Sequence, residues 1–470
     1  MLTFSRETYV ERRAALAAAL RAVGEDGLVL FVGNVDACAQ LKAECYRFRQ
    51  DSSWLYYFGL DEPGLAATID LSNGVETLYA DDVSEEDMIW IGPQPPVASK
   101  AFEAGVEAFK PSAALDGVIA GALASGRKVL FLPPSRYYNT MRLMDLLHIS
   151  KEEVAAGSLP LIEAVVQMRL VKTPEEIALI DEACDLGYEM HTVGRDLIRP
   201  GVVEGDIVDQ MDFIATSKGW GVSFGTIFTQ HGEIFHNPSH DKVIEPGRMI
   251  VVDAGLEAHS HYASDFTRTY PSDGKFTPKQ KAIYEIALAA HEKAFSLTRP
   301  GVAYRDVHLA AEAVILEGLK AVGIVEGDVA EMVAEGIGGL FLPHGLGHNM
   351  GLDVHDMEDL GEDHVGYDPD QKRAGRLGLG SLRMARRLKP GHVITDEPGV
   401  YFNVGLIESW RRSGKGSGRI NYSLLEKEYY DFGGIRIEDD VLVTPTGARR
   451  LGTRRLPVTV SDIESLMLRR

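Results

Sequence analysis

Cysteine is scarce in this chain. Cys38, Cys45 and Cys184 are the three among 470 residues, and no two stand in a Cys-x-x-Cys spacing. So odd and scattered a set excludes a disulfide framework and a zinc knuckle, and it suits a reducing compartment. Long apolar runs are missing too. No stretch approaches the roughly 18 consecutive apolar residues of a membrane-spanning helix. The opening residues Leu2-Thr3-Phe4-Ser5-Arg6-Glu7 turn charged before an apolar segment develops, unlike a secretory leader. The expectation is a cytoplasmic protein. Positive charge is also in short supply, with 48 Lys and Arg against 69 Asp and Glu and a net charge of −21. Nucleic acids and anionic membranes call for a basic face, so neither is expected as a partner. Hydrophobic content of 45% and charged content of 25% are ordinary for a globular protein, and the length suggests two domains rather than one core.

What the chain does have is histidine in one glycine-rich run, His344-Gly345-Leu346-Gly347-His348, continued through Gly351-Leu352-Asp353-Val354-His355-Asp356. So many glycines make poor helix and point to a tight loop presenting imidazoles. Acidic residues accompany it at a distance. The β-like runs Ile250-Val251-Val252-Asp253, Ser264-Asp265-Phe266-Thr267, Val393-Ile394-Thr395-Asp396-Glu397 and Gly434-Ile435-Arg436-Ile437-Glu438 each embed a carboxylate where an apolar residue would be easier to bury. A buried carboxylate costs several kcal/mol unless paired or bound to a cation. Four carboxylates with an imidazole suit two divalent ions, Mn²⁺, Co²⁺ or Zn²⁺. Such a pair can activate a water and polarise a carbonyl, so amide or ester hydrolysis is the natural reaction class, with no Ser or Cys nucleophile required.

In order, Asp253, Asp265, His348, Glu397 and Glu438 resemble the five metal ligands of the "pita-bread" metallopeptidases, the family that includes methionine aminopeptidase, aminopeptidase P and prolidase. Their surroundings match as well: Asp-Ala-Gly, Ser-Asp-Phe-Thr-Arg-Thr, His-Gly-Leu-Gly-His, Glu-Pro-Gly and Arg-Ile-Glu-Asp. Asp253 and Asp265 stand twelve apart, one more than in most of the family, and a turn over residues 256–263 is expected to absorb the difference. The resemblance implies a curved sheet with helices outside and two metals inside. It makes Glu397 a proton shuttle as well as a ligand, and it gives His344 and His355 contacts to substrate and transition state. His236, in Phe235-His236-Asn237-Pro238, resembles a further active-site histidine. His231, His240, His259 and His261 read as structural.

Within the family, residues 340–356, 381–391 and 431–438 look most like prolidase, the Xaa-Pro dipeptidase. There Arg383 and Arg436 would bind the carboxylate of a dipeptide, a task suited to a guanidinium fork. Arg383 can also be read as part of a solvated basic run with Arg386, Arg387 and Lys389. Phe48-Arg49-Gln50-Asp51 leans the other way, toward aminopeptidase P, which takes longer Xaa-Pro peptides. A metal-free binding module would lack ligands, and here all five are filled. The expected assembly is a homodimer.

The expected architecture is α/β (α+β). Residues 1–160 form a small creatinase-like α/β domain, with a helix over 5–23, strands at 27–32, 66–71, 76–80 and 128–133, and a helix at 112–123. A linker follows at 161–172, and residues 173–470 form the pita-bread catalytic domain. Thr173-Pro174-Glu175-Glu176 is a capping box with proline at the first helical position, and Thr277-Pro278-Lys279-Gln280 repeats its grammar. Leu197-Ile198-Arg199-Pro200-Gly201-Val202 returns as Leu297-Thr298-Arg299-Pro300-Gly301-Val302, a constant offset of 100 residues. Two copies imply a pseudo-twofold domain rather than a solenoid.

Overall fold

The computed structural model describes residues 2–41 and 44–469. It divides into two compact units, Met1–Arg169 with Asp359–His364, and Leu170–Glu358 with Val365–Arg470. No single helix among the described residues is long and apolar enough to cross a membrane.

In the first unit, strands β1 (Leu28–Val32), β2 (Ala66–Asp70), β3 (Glu76–Tyr79), β4 (Ala108–Lys110) and β5 (Val129–Phe131) form one sheet in the order β4-β3-β2-β1-β5. Strand β1, between β2 and β5, reads Leu-Val-Leu-Phe-Val and is almost wholly buried. It pairs antiparallel with β2 and parallel with β5. Its Leu28 and Leu30 share one apolar cluster with Leu115, Ile119 and Leu143. Strand β4 was not foreseen, because its three residues include two exposed ones and carry no alternation to read. Most of the expected linker 161–172 is helical, within Leu159–Leu170, and Leu161, Ile162, Val165 and Val166 are buried. Such an apolar stripe at helical spacing is the mark of a packed helix rather than a tether. The Phe48-Arg49-Gln50-Asp51 segment turns polar groups inward. Gln50 is fully buried, accepts from Asn34 N at 2.6 Å and donates to Glu62 O at 2.7 Å, while Asp51 caps helix Ser52–Phe58.

The second unit is built twice over. Helices Pro174–Leu197 and Glu204–Lys218 precede β6 (Gly221–Val222), β7 (Ile227–Thr229), β8 (Met249–Ala254), β9 (Leu256–Glu257) and β10 (Phe266–Pro271). Helices Pro278–Leu297 and Tyr304–Ala321 precede β11 (Val393–Asp396), β12 (Gly399–Tyr401), β13 (Gly434–Arg436), β14 (Asp439–Val443) and β15 (Ala448–Arg450). Thr173 with Glu176 and Thr277 with Gln280 close the two capping boxes. The repeated turns are equivalent in detail. Gly201 and Gly301 adopt φ of 88° and 84°, left-handed values that favour glycine. Their amides donate to Ile244 O at 2.9 Å and Leu388 O at 2.8 Å.

The strands form sheets β10-β8-β7 and β11-β14-β15 with the pairs β12-β13 and β6-β9. Strands β8 and β10 are buried along their whole length, so both faces are covered. Period-two alternation then sorts the side chains. Ile250, Val252 and Tyr270 join the main core with Ile283, Ala287 and Ile315, leaving Asp253, Thr267 and Thr269 for the opposite face. The expected turn at 256–263 is present, closed by Ala258 N to Tyr262 O at 2.9 Å, with His261 at φ 67°.

Candidate active site

Five strand or loop segments converge on a cavity of about 1020 Å³, whose walls include Asp253, Asp265, His344, His348, His355, Arg383, Glu397, Arg436 and Glu438. Asp253 lies near the end of β8, and Asp265 immediately precedes β10. The bridge between Thr267 and Glu438 carries the first half of the repeat onto the second. Thr267 Oγ1 donates to Glu438 Oε2 at 2.6 Å, and Glu438 N donates to Thr267 O at 3.0 Å.

The histidine loop is locked against β11. His348 N donates to Thr395 Oγ1 at 3.1 Å and Thr395 N to His348 O at 3.0 Å. Gly347 makes this contact possible, since a Cβ there would sit 2.1 Å from Thr395 O. His348 Nδ1 lies 3.1 Å from Asn349 O and donates to it. That leaves Nε2 with its lone pair, 3.4 Å from Asp265 Oδ2, the tautomer a metal ligand needs. Burial holds this imidazole down at about 4.

Asp265, His348 and Glu438 bring ligand atoms within 4.8 Å of one another, and all three are buried. Asp253 and Glu397 stand at the edge of this trio. Asp253 Oδ2 pairs with Arg436 Nη2 at 2.5 Å, and Glu397 Oε1 is 3.9 Å from His348 Nε2. The acids repel one another: burial first and then Asp253 push Asp265 well above the carboxylate range, and burial and Asp265 do the same to Glu438. Glu397 is raised to about 8 by burial, with Asp253 adding to it against the pull of Arg436. Asp253 Oδ1 and Asp265 Oδ1 are buried without a hydrogen-bond partner. Orphaned carboxylate oxygens beside an imidazole nitrogen free to accept are the donor set of a divalent cation site.

Arg436 is more engaged than the sequence suggested. It donates to Asp253, to Thr267 Oγ1 at 3.1 Å and to Tyr401 OH at 2.8 Å. Tyr401 OH lies 2.8 Å from His344 Nε2, and His344 Nδ1 lies 2.7 Å from Gly345 O. With Nδ1 donating to that carbonyl, Nε2 accepts from Tyr401. Burial keeps His344 neutral, at about 3. Arg383 separates from its basic neighbours. It donates to His355 Nε2 at 2.9 Å and approaches Glu358 at 3.6 Å. Arg386 is turned inward to Tyr367 O and Arg387 outward to Asp370.

Residues 178–445 match the pattern of metallopeptidase family M24, and residues 9–131 match the amino-terminal domain of aminopeptidase P. The chain belongs to metallopeptidase family M24. Human Xaa-Pro dipeptidase is 34% identical over 439 residues, covering 89% of this chain and 84% of the relative. A probable Xaa-Pro aminopeptidase of Uncinocarpus reesii is 30% identical over 468 residues, with 96% and 92% covered. Among solved structures, Pseudomonas aeruginosa aminopeptidase PepP aligns with a TM-score of 0.80 at 27% identity, covering 100% of this chain and 99% of its own. Zinc-substituted Escherichia coli aminopeptidase P in complex with product gives 0.79 at 26%, with 99% of each chain covered.

The remaining histidines divide. His236 lines the cavity. His240, read as structural, lines it too, and its Nε2 is buried without a hydrogen-bond partner. His231 pairs with Glu233, His261 pairs with Glu257 at 2.5 Å, and His259 is exposed. Sequence reasoning missed Tyr401, Thr267 and Thr395, which link the charged groups. Thr267 and Thr395 sit inside the runs that flagged the acids, on the same strand face as one of those acids, and alternation alone could have found them.

Proposed function

We propose that this M24 metallopeptidase hydrolyses the peptide bond before proline in Xaa-Pro dipeptides. Asp253, Asp265, His348, Glu397 and Glu438 would hold two divalent ions, Mn²⁺ in the first instance, with Co²⁺ or Zn²⁺ as substitutes. Bound there, such ions supply a polarised scissile carbonyl and a water acidic enough to attack near neutral pH. Glu397 would take the proton of that water and pass it to the leaving proline nitrogen, and its raised affinity for a proton suits the task. His344, held neutral by burial and steadied by Gly345 and Tyr401, would present its ring to the substrate. His355 would contact the substrate and the developing charge, and His236 would line the approach.

The observation that carries the dipeptidase reading is Arg383, a guanidinium in the cavity wall beside His355, separate from the exposed Arg387. A carboxylate placed directly after proline needs such a cation. Arg436, taken up by Asp253, Thr267 and Tyr401, serves better as the organiser of the acids than as a second clamp. An Xaa-Pro aminopeptidase is the second reading, favoured by the cavity volume of about 1020 Å³, at the upper end for small-ligand sites and roomy for a dipeptide. Relative rates on an Xaa-Pro dipeptide and an Xaa-Pro-Yaa-Zaa peptide under Mn²⁺ decide between them. A cytoplasmic homodimer completes the reading, supported by the sparse cysteines and by Ile89, Trp90 and Ile91, exposed together on helix Glu85–Ile91.

A further inference from the structure

Residues 34–41 and 44–50 lie beside each other between β1 and helix Ser52–Phe58. At one end, Asn34 N donates to Gln50 Oε1 at 2.6 Å and Asn34 Nδ2 to Arg49 O at 2.9 Å. Farther out, Cys38 and Cys45 face each other as an antiparallel bridge. The bonds around them run from Ala39 N to Glu44 O at 2.7 Å and from Tyr46 N to Ala37 O at 2.9 Å. Both belong to the neighbours of the cysteines. The cysteines are therefore the non-hydrogen-bonded pair, which brings Cα atoms to about 4.5 Å. A disulfide accepts Cα separations of about 4.4 to 6.8 Å, so no backbone movement is needed to join them. The side chains agree with the backbone. The Cys45 thiol is raised above its ordinary value by desolvation and then by its hydrogen bond with Cys38. Both residues are exposed, whereas Cys184 is buried and donates to Asp440 Oδ2 at 3.3 Å.

We propose that Cys38 and Cys45 form a reversible dithiol–disulfide couple, closed by a small disulfide such as glutathione disulfide. One cysteine, as thiolate, attacks the oxidant's S–S bond, forming a mixed disulfide and releasing one glutathione thiolate. The second cysteine, as thiolate, attacks the protein sulfur of that mixed disulfide, closing the ring and releasing the second glutathione. The cysteines lose two electrons, glutathione disulfide gains them, and the two thiol protons end on the two glutathiones. Scarcity of cysteine excludes a framework of disulfides but is compatible with one local couple of this kind.

The test uses the full-length, metal-loaded protein, equilibrated with mixtures of glutathione disulfide and glutathione, then alkylated, unfolded and digested with trypsin. Lys42 lies between the two cysteines, so cleavage there separates them unless a disulfide holds them. Peptides 22–42 and 43–47 are expected to remain joined, lighter than their sum by two hydrogens, to part on reduction, and to leave Cys184 alkylated as an internal reference. Cys38→Ser should leave Cys45 able to carry glutathione but never linked to peptide 22–42. Full alkylation of Cys38 and Cys45 at every ratio would overturn the proposal, as would separate glutathione adducts on each. A linkage found only in a species of doubled mass on a non-reducing gel would overturn it too.

Discussion

Arg383 donates to His355 across 2.9 Å, Nη1 to Nε2, and so ties the cation best placed to read a substrate carboxylate to a half-buried imidazole that desolvation holds below its ordinary range, with His348 and Arg383 adding to the effect. The pair therefore presents one fixed positive charge and one neutral ring. Arg383→Ala should raise KM for an Xaa-Pro dipeptide by about 10- to 100-fold, the value of one or two charge-assisted hydrogen bonds. The same dipeptide amidated at its carboxyl end should be affected far less. Equal effects on both substrates in steady-state kinetics would leave the aminopeptidase reading standing alone.

The ligand and contact roles of the histidines separate by metal content. His348→Ala and Glu438→Ala should each lose bound metal and nearly all turnover. His355→Ala should retain the metals and lose about a hundredfold or more in kcat. Metal stoichiometry by mass spectrometry, measured with kcat on the same preparations, checks this. Two metals in both histidine variants would mean that the ligand has been misassigned.

Thr267 is the hinge pin of the acid cluster, donating to Glu438 and accepting from Arg436. Valine keeps its shape and removes both bonds. Thr267→Val is expected to weaken metal affinity by about 10- to 100-fold with little change in the melting temperature of the metal-loaded protein. Competition titration against a chelating dye measures the first quantity and calorimetry the second.

Glu312, on helix Tyr304–Ala321, carries a pH signature outside the cavity walls. It is 3% exposed, lies 3.5 Å from Arg376 Nη2, and burial raises it from 4.5 to about 7. A carboxyl raised on folding gives stability that is complete below its unfolded value and lost as pH rises through its folded one. The window is therefore roughly pH 4.5 to 7, and the loss up to about 3 kcal/mol. Glu312→Gln, which cannot ionise, should be less stable than the parent or equal to it near pH 5 and gain on it by pH 8. Denaturant melts at the two pH values give the comparison, and a difference that does not change with pH would refute it.

The acids and histidines were legible because burying charge is costly and the sequence does so at four places in recognisable surroundings, beside a glycine-rich histidine run. The duplicated helix starts and Arg-Pro-Gly-Val turns announced the repeat for a similar reason, since proline, glycine and capping residues act locally. Strand β4 and the helix through the expected linker were not legible, because three residues carry no period and a helix of twelve offers few turns to count. The engagement of Arg436 was beyond reach from sequence. Its partners Asp253, Thr267 and Tyr401 lie 183, 169 and 35 positions away, and only the folded domain brings them to one guanidinium.

The bridge from Thr267 to Glu438 is also where the two copies of the repeat meet. Asp253 and Asp265 come from one copy, Glu397 and Glu438 from the other, so neither copy alone confronts four crowded carboxyl groups. The electrostatic burden arises where the copies meet, and cations bound there would act as mortar between them. Stripping the metals should therefore loosen this seam before either copy melts. Amide hydrogen exchange would register the loosening first at Glu438 N, whose bond to Thr267 O crosses the seam.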